Sequence, residues 1–424
     1  MTAEGKEFLS PVSILVHTKP VRQEVRVTDF GASPSAEMNT EAIQRAIDAC
    51  PEGGRVVVPA GVYRTGALRL HSDMELYLTK EAVLLGSDRA EDYPVDSQGR
   101  PAPLLSLRNG RDVSITGEGT IDGNGWAVDA NGAALKADNR NTGGSMHVFR
   151  IGKLAAAETR EAMAGGDSFT KAYQKRSTLI SIDHADRVFL AGITFRNPAM
   201  HGINLSDVRQ AALYNVSVET YNANNGDGID FRGQGLLVAD SYFDTGDDAI
   251  NFNAGVGERA TREAPTSDAW LFHNFIAHGH GGVVLGSHTA AWIERILAEH
   301  MVMDGTDIGL RGKTGPGVGG GARDVLFRQS VLYHMQKDAF SFVSSYTDPS
   351  LAGAGTDIPA GVFMDISVED CDIEGAGGGS VRAEGQKESP FERLSFRRLR
   401  IRQSKAPVFS YVEGVVWKEI TMER

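Results

Sequence analysis

The segment Asp244–Gly255 reads DTGDDAINFNAG and sets two carboxylates, Asp247 and Asp248, between a glycine and an apolar run. Adjacent like charges repel, and a solvated turn has no use for both. Proton transfer at a single bond does have a use: one carboxyl gives a proton while another accepts one or activates water. Repulsion between neighbouring carboxyls assists, because it raises the pKa of one and keeps it protonated. Other glycine-flanked polar residues share the pattern. They are Asp227 in NNGDGIDF, His280 in GHGGVVLGS, and Arg311 with Lys313 in LRGK. Two residues apart on a strand, Arg311 and Lys313 face the same side. Neighbours on a regular strand face opposite sides, so Asp247 and Asp248 can act together only where the chain bends, which Gly246 would permit.

Short strands must position these groups. From residue 178 a degenerate repeat runs through DRVFLAGITFRNPAMHGINLS, RQAALYNVSVETYNANNGDGIDF and GQGLLVADSYFDTGDDAINF to the C-terminus. Each copy holds a short strand, a second, a polar corner and a third. Repeats of 20 to 50 residues signal a solenoid, and these strands are too short and glycine-punctuated for a helical array. The fold class expected is all-β, a single right-handed parallel β-helix whose rungs stack at ~4.8 Å. Residues 1–24 read as an N-terminal extension and 25–424 as the β-helix domain. VRVTDFGA reads as a strand, and NTEAIQRAIDAC as an amphipathic capping helix with Asn39 or Thr40 as N-cap and Ile43, Ala46 and Ile47 on one face. Two stretches break the period: an insertion at 123–176, in which KLAAAETREAMAGG reads as helical, and a shorter polar loop at 254–268. Long interruptions of a compact fold are functional or disordered.

Aligned on the apolar residues after each corner, His201, Asp227, Asp247 with Asp248, His280, Asp307 and Asp338 fall in one column. Asp227 and Asp248 are 21 residues apart, one plain rung. A turn ladder repeats one residue type, whereas this column changes type from rung to rung, as the lining of a groove would. The flanking glycines would let a ligand approach the backbone.

Composition limits what such a groove could hold. The 424 residues carry a net charge of −12 and include 49 glycines. General nucleic-acid binding is thereby disfavoured, and a polyanionic ligand would need locally placed Arg and Lys. Cys50 and Cys371 lie far apart, without metal-type spacing, and read as buried free thiols. No apolar run is long enough to span a membrane, and the first residues do not read as a secretory signal. The expected location is cytoplasmic, or periplasmic or secreted if the sequence begins after processing. No cofactor or metal is expected, and the chain is expected to be a monomer.

NGDGID, TGDDAIN, GHGGVVLGS and RGK, in that order, resemble the four signature motifs of glycoside hydrolase family 28, the polygalacturonases. DFGA, NTEAIQRAID and VVVPAGVY resemble the N-terminal pattern of the wider pectin-degrading β-helix superfamily, so the resemblance covers residues 25–424. NPAMHGIN, NNGDGIDF and GSHTAAWIE are similar to the bacterial exo-acting branch. Gly226 stands where Thr is common and Ala249 where Cys is frequent; neither change removes a reacting group.

The resemblance implies a pectin-lyase-like solenoid that hydrolyses α-1,4-linked galacturonate from the non-reducing end, with inversion and release of digalacturonate, one residue per cut being the alternative. Asp247 would be the general acid, Asp227 with Asp248 would activate the water, and His280 would tune the acid or hold a hydroxyl. Arg311 and Lys313 would bind the galacturonate carboxylate. Tyr346 resembles a subsite tyrosine, and Asn225, His201 and His288 would line the groove. Rung spacing alone puts Asp227 and Asp248 roughly 5 Å apart, near the retaining separation, so spacing leaves the stereochemistry open. The insertion, with Trp126 and its helical stretch, is expected to wall off the groove upstream of Asp227. Rival readings are a pectate lyase, a non-catalytic carbohydrate-binding β-helix, and a relative acting on rhamnogalacturonan or xylogalacturonan.

Overall fold

Alternating apolar residues fold here into stacked parallel strands. The structure, a computed structural model, describes residues 22–130, 135, 147–347 and 357–423. Among these residues the strands form a 21-stranded and a 12-stranded sheet, wound as a right-handed parallel β-helix. The smaller sheet takes one short strand from each rung, including Thr194–Arg196, Ser217–Glu219, Tyr242–Asp244 and Phe275–His278. The larger sheet takes the rest of each rung. There, Ile203–Tyr214 pairs in parallel with Ile180–Ala191 on one side and Ile229–Ala239 on the other.

Register puts Ile203, Ile229, Ile250, Val283, Leu310 and Phe340 in one column, and all are fully buried. These are the apolar residues that follow each corner. Each such side chain contributes roughly 1.5–3 kcal/mol by leaving water, and the column fixes the height of every polar corner residue before it.

The corners are not mainly glycine. Asn215, Asp240, His273 and His300 occupy one corner of successive rungs with φ of 50°, 51°, 55° and 53°. Short polar side chains tolerate this left-handed conformation better than branched ones.

At the N-terminal end the expected strand VRVTDFGA is only partly extended. Glu24–Arg26 pairs as a strand, and Val27–Phe30 then turns as a 3₁₀ helix closed by Gly31, whose N–H bonds to Thr28 O. The helix Thr40–Asp48 forms as expected and buries Ala42, Ile43, Ala46 and Ile47 over the first rungs. Asn39 is its N-cap by position, but its side chain accepts from Ser33 N instead of closing the helix. Cys50 and Cys371 are buried free thiols, and burial pushes Cys371 up to about 12.

The insertion carries the helices Val148–Ile151, Leu154–Ala164 and Phe169–Tyr173. Trp126 at its root is fully buried, and its backbone exchanges hydrogen bonds with the Asn197 side chain of the next rung. It anchors the insertion and does not face the groove, contrary to the expectation for that residue.

Candidate active site

Strand register resolves the expected column into two. His201, Asp227, Asp248 and Asp338 precede their inward apolar residues by two positions, whereas Asp247, His280 and Asp307 precede theirs by three. The one-residue offset separates the acid pair. Asp247 shares its column with His280, whose Nδ1 lies 3.0 Å from Asp247 Oδ1. Asp248 sits one position further in and is fully buried.

Asp307 and Asp338 belong to the columns but not to the site. Asp307 pairs with Lys337 at 2.8 Å, while Asp338 accepts from Arg382 Nε at 2.9 Å and Gly379 N at 2.7 Å. Both tie rungs together downstream.

Glycine serves close packing here more than flexibility. A Cβ on Gly246 would stand 2.0 Å from Ala223 O, so the residue is small because the neighbouring corner crosses it, not because its φ requires glycine. Gly281 likewise makes room for Val284, Arg311 and Asp248. The glycines bring rungs together, where a ligand had been expected.

A groove of about 900 Å³ runs over this corner. Asp227, Asp247, Asn225, His201, His288, Lys313 and Tyr346 line it, while His280 and Arg311 stand behind Asp247 and Asp248. Asp248 lies beneath, with Oδ1 accepting from Arg311 Nη1 at 3.0 Å and Oδ2 from Lys313 Nζ at 2.7 Å. The two cations share a face as their spacing implied, and Tyr346 covers both, its ring centre 5.8 Å from the guanidinium and 5.1 Å from the ammonium. Their present partner is Asp248.

Electrostatics distinguish the carboxyls. Burial, with Asp230 and Asp247 close by, pushes Asp227 up to about 8 against the opposing pull of His201. Burial alone would raise Asp247 too, but the hydrogen bond from His280 and the charges of His280, Lys313 and Arg311 hold it below the usual carboxylate range. The raised carboxyl expected from repulsion is therefore Asp227. Burial opposes the charge on His201, yet Asp227 and Asp230 outweigh it and lift the imidazole to about 9. Its Nδ1 lies 3.1 Å from Asp227 and 3.3 Å from Asp230, too poorly aligned to hydrogen-bond either, so the contact is ionic.

Oxygens of Asp227, Asp247 and Asp248 come within 4.8 Å of one another, and so do the ligating atoms of His201, Asp227 and Asp230. Both trios are close enough to hold a divalent cation. In the first, Arg311 and Lys313 already supply the countercharge.

Sequence reasoning missed Asp230, Asn204 and Asn251. They form an outward-facing column along the groove floor that continues to Val284 and Arg311. The signal was present: Ile229 and Phe231 point inward, so Asp230 between them must point out. Arg176 was missed as well. Fully buried at the end of the insertion, it donates to Tyr173 O, Ala199 O, Asn224 O and Asn225 Oδ1. It thus pins the last insertion helix to the corner that carries Asn225. Phe169, Thr170, Tyr173 and Gln174 of the insertion line the same groove as Asp227.

The sequence matches the family model described as Glycosyl hydrolases family 28 over residues 162–411. It is 41% identical over 406 residues to an exo-poly-alpha-D-galacturonosidase of Dickeya chrysanthemi, covering 89% of this chain and 66% of that protein. The chain thus spans just under two thirds of the length of that curated relative. A solved family 28 exopolygalacturonase of Yersinia enterocolitica superposes with a TM-score of 0.86 at 35% identity, over 95% of this chain and 78% of that one. An exopolygalacturonase from Thermotoga maritima, at 22% identity, has a TM-score of 0.74 over 96% of this chain and 93% of that one, a likeness of fold.

Proposed function

The chain belongs to glycosyl hydrolases family 28, and from that premise we propose that it is an exo-polygalacturonase. It would remove digalacturonate from the non-reducing end of polygalacturonate. The observation that carries this reading is the three-carboxyl cluster at the groove, with one member locked to two cations. Hydrolysis of a glycosidic bond needs a carboxyl that protonates the leaving oxygen and a second that acts from the other face. The likeness to the Dickeya and Yersinia proteins supports exo action on galacturonate.

Asp247 is the proposed general acid, with Asp227 and Asp248 on the water and His280 holding Asp247 in place. One proton serves the cluster, and for coupled sites it belongs to the group rather than to one residue. Within the protein alone the field keeps it on Asp227. A sugar carboxylate laid against Lys313 and Arg311 offsets the positive field that ionises Asp247. The proton then moves to Asp247, and Asp227 is left ionised to activate water. Binding of an acidic sugar would thereby arm the acid, which favours galacturonate over neutral sugars.

Inversion rests on the family resemblance, and retention is the alternative. The nearest oxygens of the three carboxyls lie within 4.8 Å of one another, a nearest-atom distance compatible with either course. NMR of the first-released anomer decides between them.

The test of the reading is product analysis on polygalacturonate, rhamnogalacturonan and xylogalacturonan. Digalacturonate from polygalacturonate alone is the expected result. Products only from either of the other polymers would move the enzyme to another branch, and an unsaturated product absorbing in the ultraviolet would make it a lyase.

A further inference from the structure

Beyond the acid cluster the described residues of the groove include one more cation, Arg100, which none of the sequence motifs contains. Arg100 sits on a short loop closed by the bridge between Val95 and Pro101. The Asp96 carboxylate accepts from Gln98 N at 2.8 Å and Arg100 N at 2.9 Å, so the backbone under Arg100 is fixed. The side chain is exposed and lines the groove together with Phe169, Tyr173 and Gln174 of the insertion. Phe169 and Tyr173 stack on each other with ring centres 5.6 Å apart, which stiffens that end.

The other cationic groups near the groove are committed. Lys313 and Arg311 hold Asp248 and serve the sugar at the acid cluster, and His201 faces Asp227 and Asp230. Among the described residues Arg100 makes no side-chain hydrogen bond and no ion pair within 4 Å. Asp230, whose carboxylate repels an anionic sugar, lines the same groove, and the protein as a whole carries −12. Among the described residues, a uronate lodged at the insertion end of the groove meets a carboxylate-binding fork only at Arg100.

We propose that Arg100 binds the carboxylate of the sugar at the non-reducing end and so selects chain ends that bear a free acid. This rests on the exo-polygalacturonase reading and adds to it the residue that recognises the end. Because the loop is already held by Asp96, binding costs little beyond the freedom of one side chain.

The test compares trigalacturonate with the same trisaccharide methyl-esterified on its non-reducing terminal residue. Wild-type enzyme is expected to prefer the free acid by about 10-fold in kcat/KM, the scale of one charge-assisted hydrogen bond. Arg100→Ala should bring that ratio near one, mainly by raising KM on the free acid, and Arg100→Lys should keep part of the preference. Arg100 is exposed, so circular dichroism and Tm of the variants should match the wild type. A wild-type ratio retained by Arg100→Ala, or no preference in the wild type, overturns the proposal while leaving the exo reading intact. A wild type inert on trigalacturonate and polygalacturonate alike overturns the reading itself.

Discussion

Asp247 and Asp248 are neighbours in sequence with opposite fates: one lines the groove, and the other is a buried anion clamped by Arg311 and Lys313. A proton donor needs access to substrate, and only Asp247 of the two has it. Asp247→Asn keeps the shape and an acceptor oxygen for the His280 contact but removes the proton. Turnover should fall by ~10²–10⁴-fold with Tm close to wild type. More than a few per cent of wild-type kcat in a folded variant would exclude Asp247 as the acid. The residues with chemistry were legible because acids, His, Arg and Lys recur at rung spacing between glycines. Which carboxyl holds the proton was not. That depends on whether His280 or Asp230 lies alongside, and a one-residue offset between corners of unequal length decides it.

The insertion shows the same division at the scale of an element. Its alanine-rich stretch reads as a helix and is one, Leu154–Ala164. Its attachment was illegible, since a tryptophan in an insertion is as compatible with a groove wall as with a core. Asn197, on another rung, settles Trp126 as an anchor. The helix is fastened by Glu158, whose Oε2 accepts from Ser177 N at 2.8 Å while Oε1 is buried without a partner. Burial outweighs the Ser177 hydrogen bonds and pushes Glu158 up to about 7 from an ordinary 4.5. A raised folded pKa means that the native state holds a proton which the unfolded chain releases. The cost is absent below pH 4.5, grows between 4.5 and 7, and is complete above 7, at of order 3 kcal/mol. Glu158→Gln removes that ionisation, so its Tm advantage over wild type should be larger at pH 7.5 than at pH 4.5. An equal difference at both pH values would place the ionisation elsewhere.

Over the whole molecule, the solenoid was legible from the repeat alone, because each rung repeats the same inward apolar positions. Where the repeat breaks bears on how substrate enters: the insertion comes between the strands Leu105–Gly117 and Ile180–Ala191, ahead of Asp227, Asp247 and Asp248, and its residues Phe169, Thr170, Tyr173 and Gln174 line the groove. A groove that the insertion shuts on that side would admit chain ends only. On polygalacturonate, viscosity should fall slowly while reducing ends accumulate steadily as one small sugar. An early viscosity collapse with a ladder of oligomers would mean that the insertion leaves the groove open. The two ends of the coil are also finished differently. The helix Thr40–Asp48 covers the first rungs, whereas Val408, Tyr411 and Met422 in the last described turns are 44%, 55% and 45% exposed. In a stack whose rungs touch only their neighbours, tension applied through the termini loads the rungs in series, and the least buried strands yield first. The C-terminal turns would therefore unwind while the strands Ile229–Ala239 through Leu310–Lys313 hold their register. Mechanical failure and loss of catalysis would then be separate events, occurring at different extensions of the same chain.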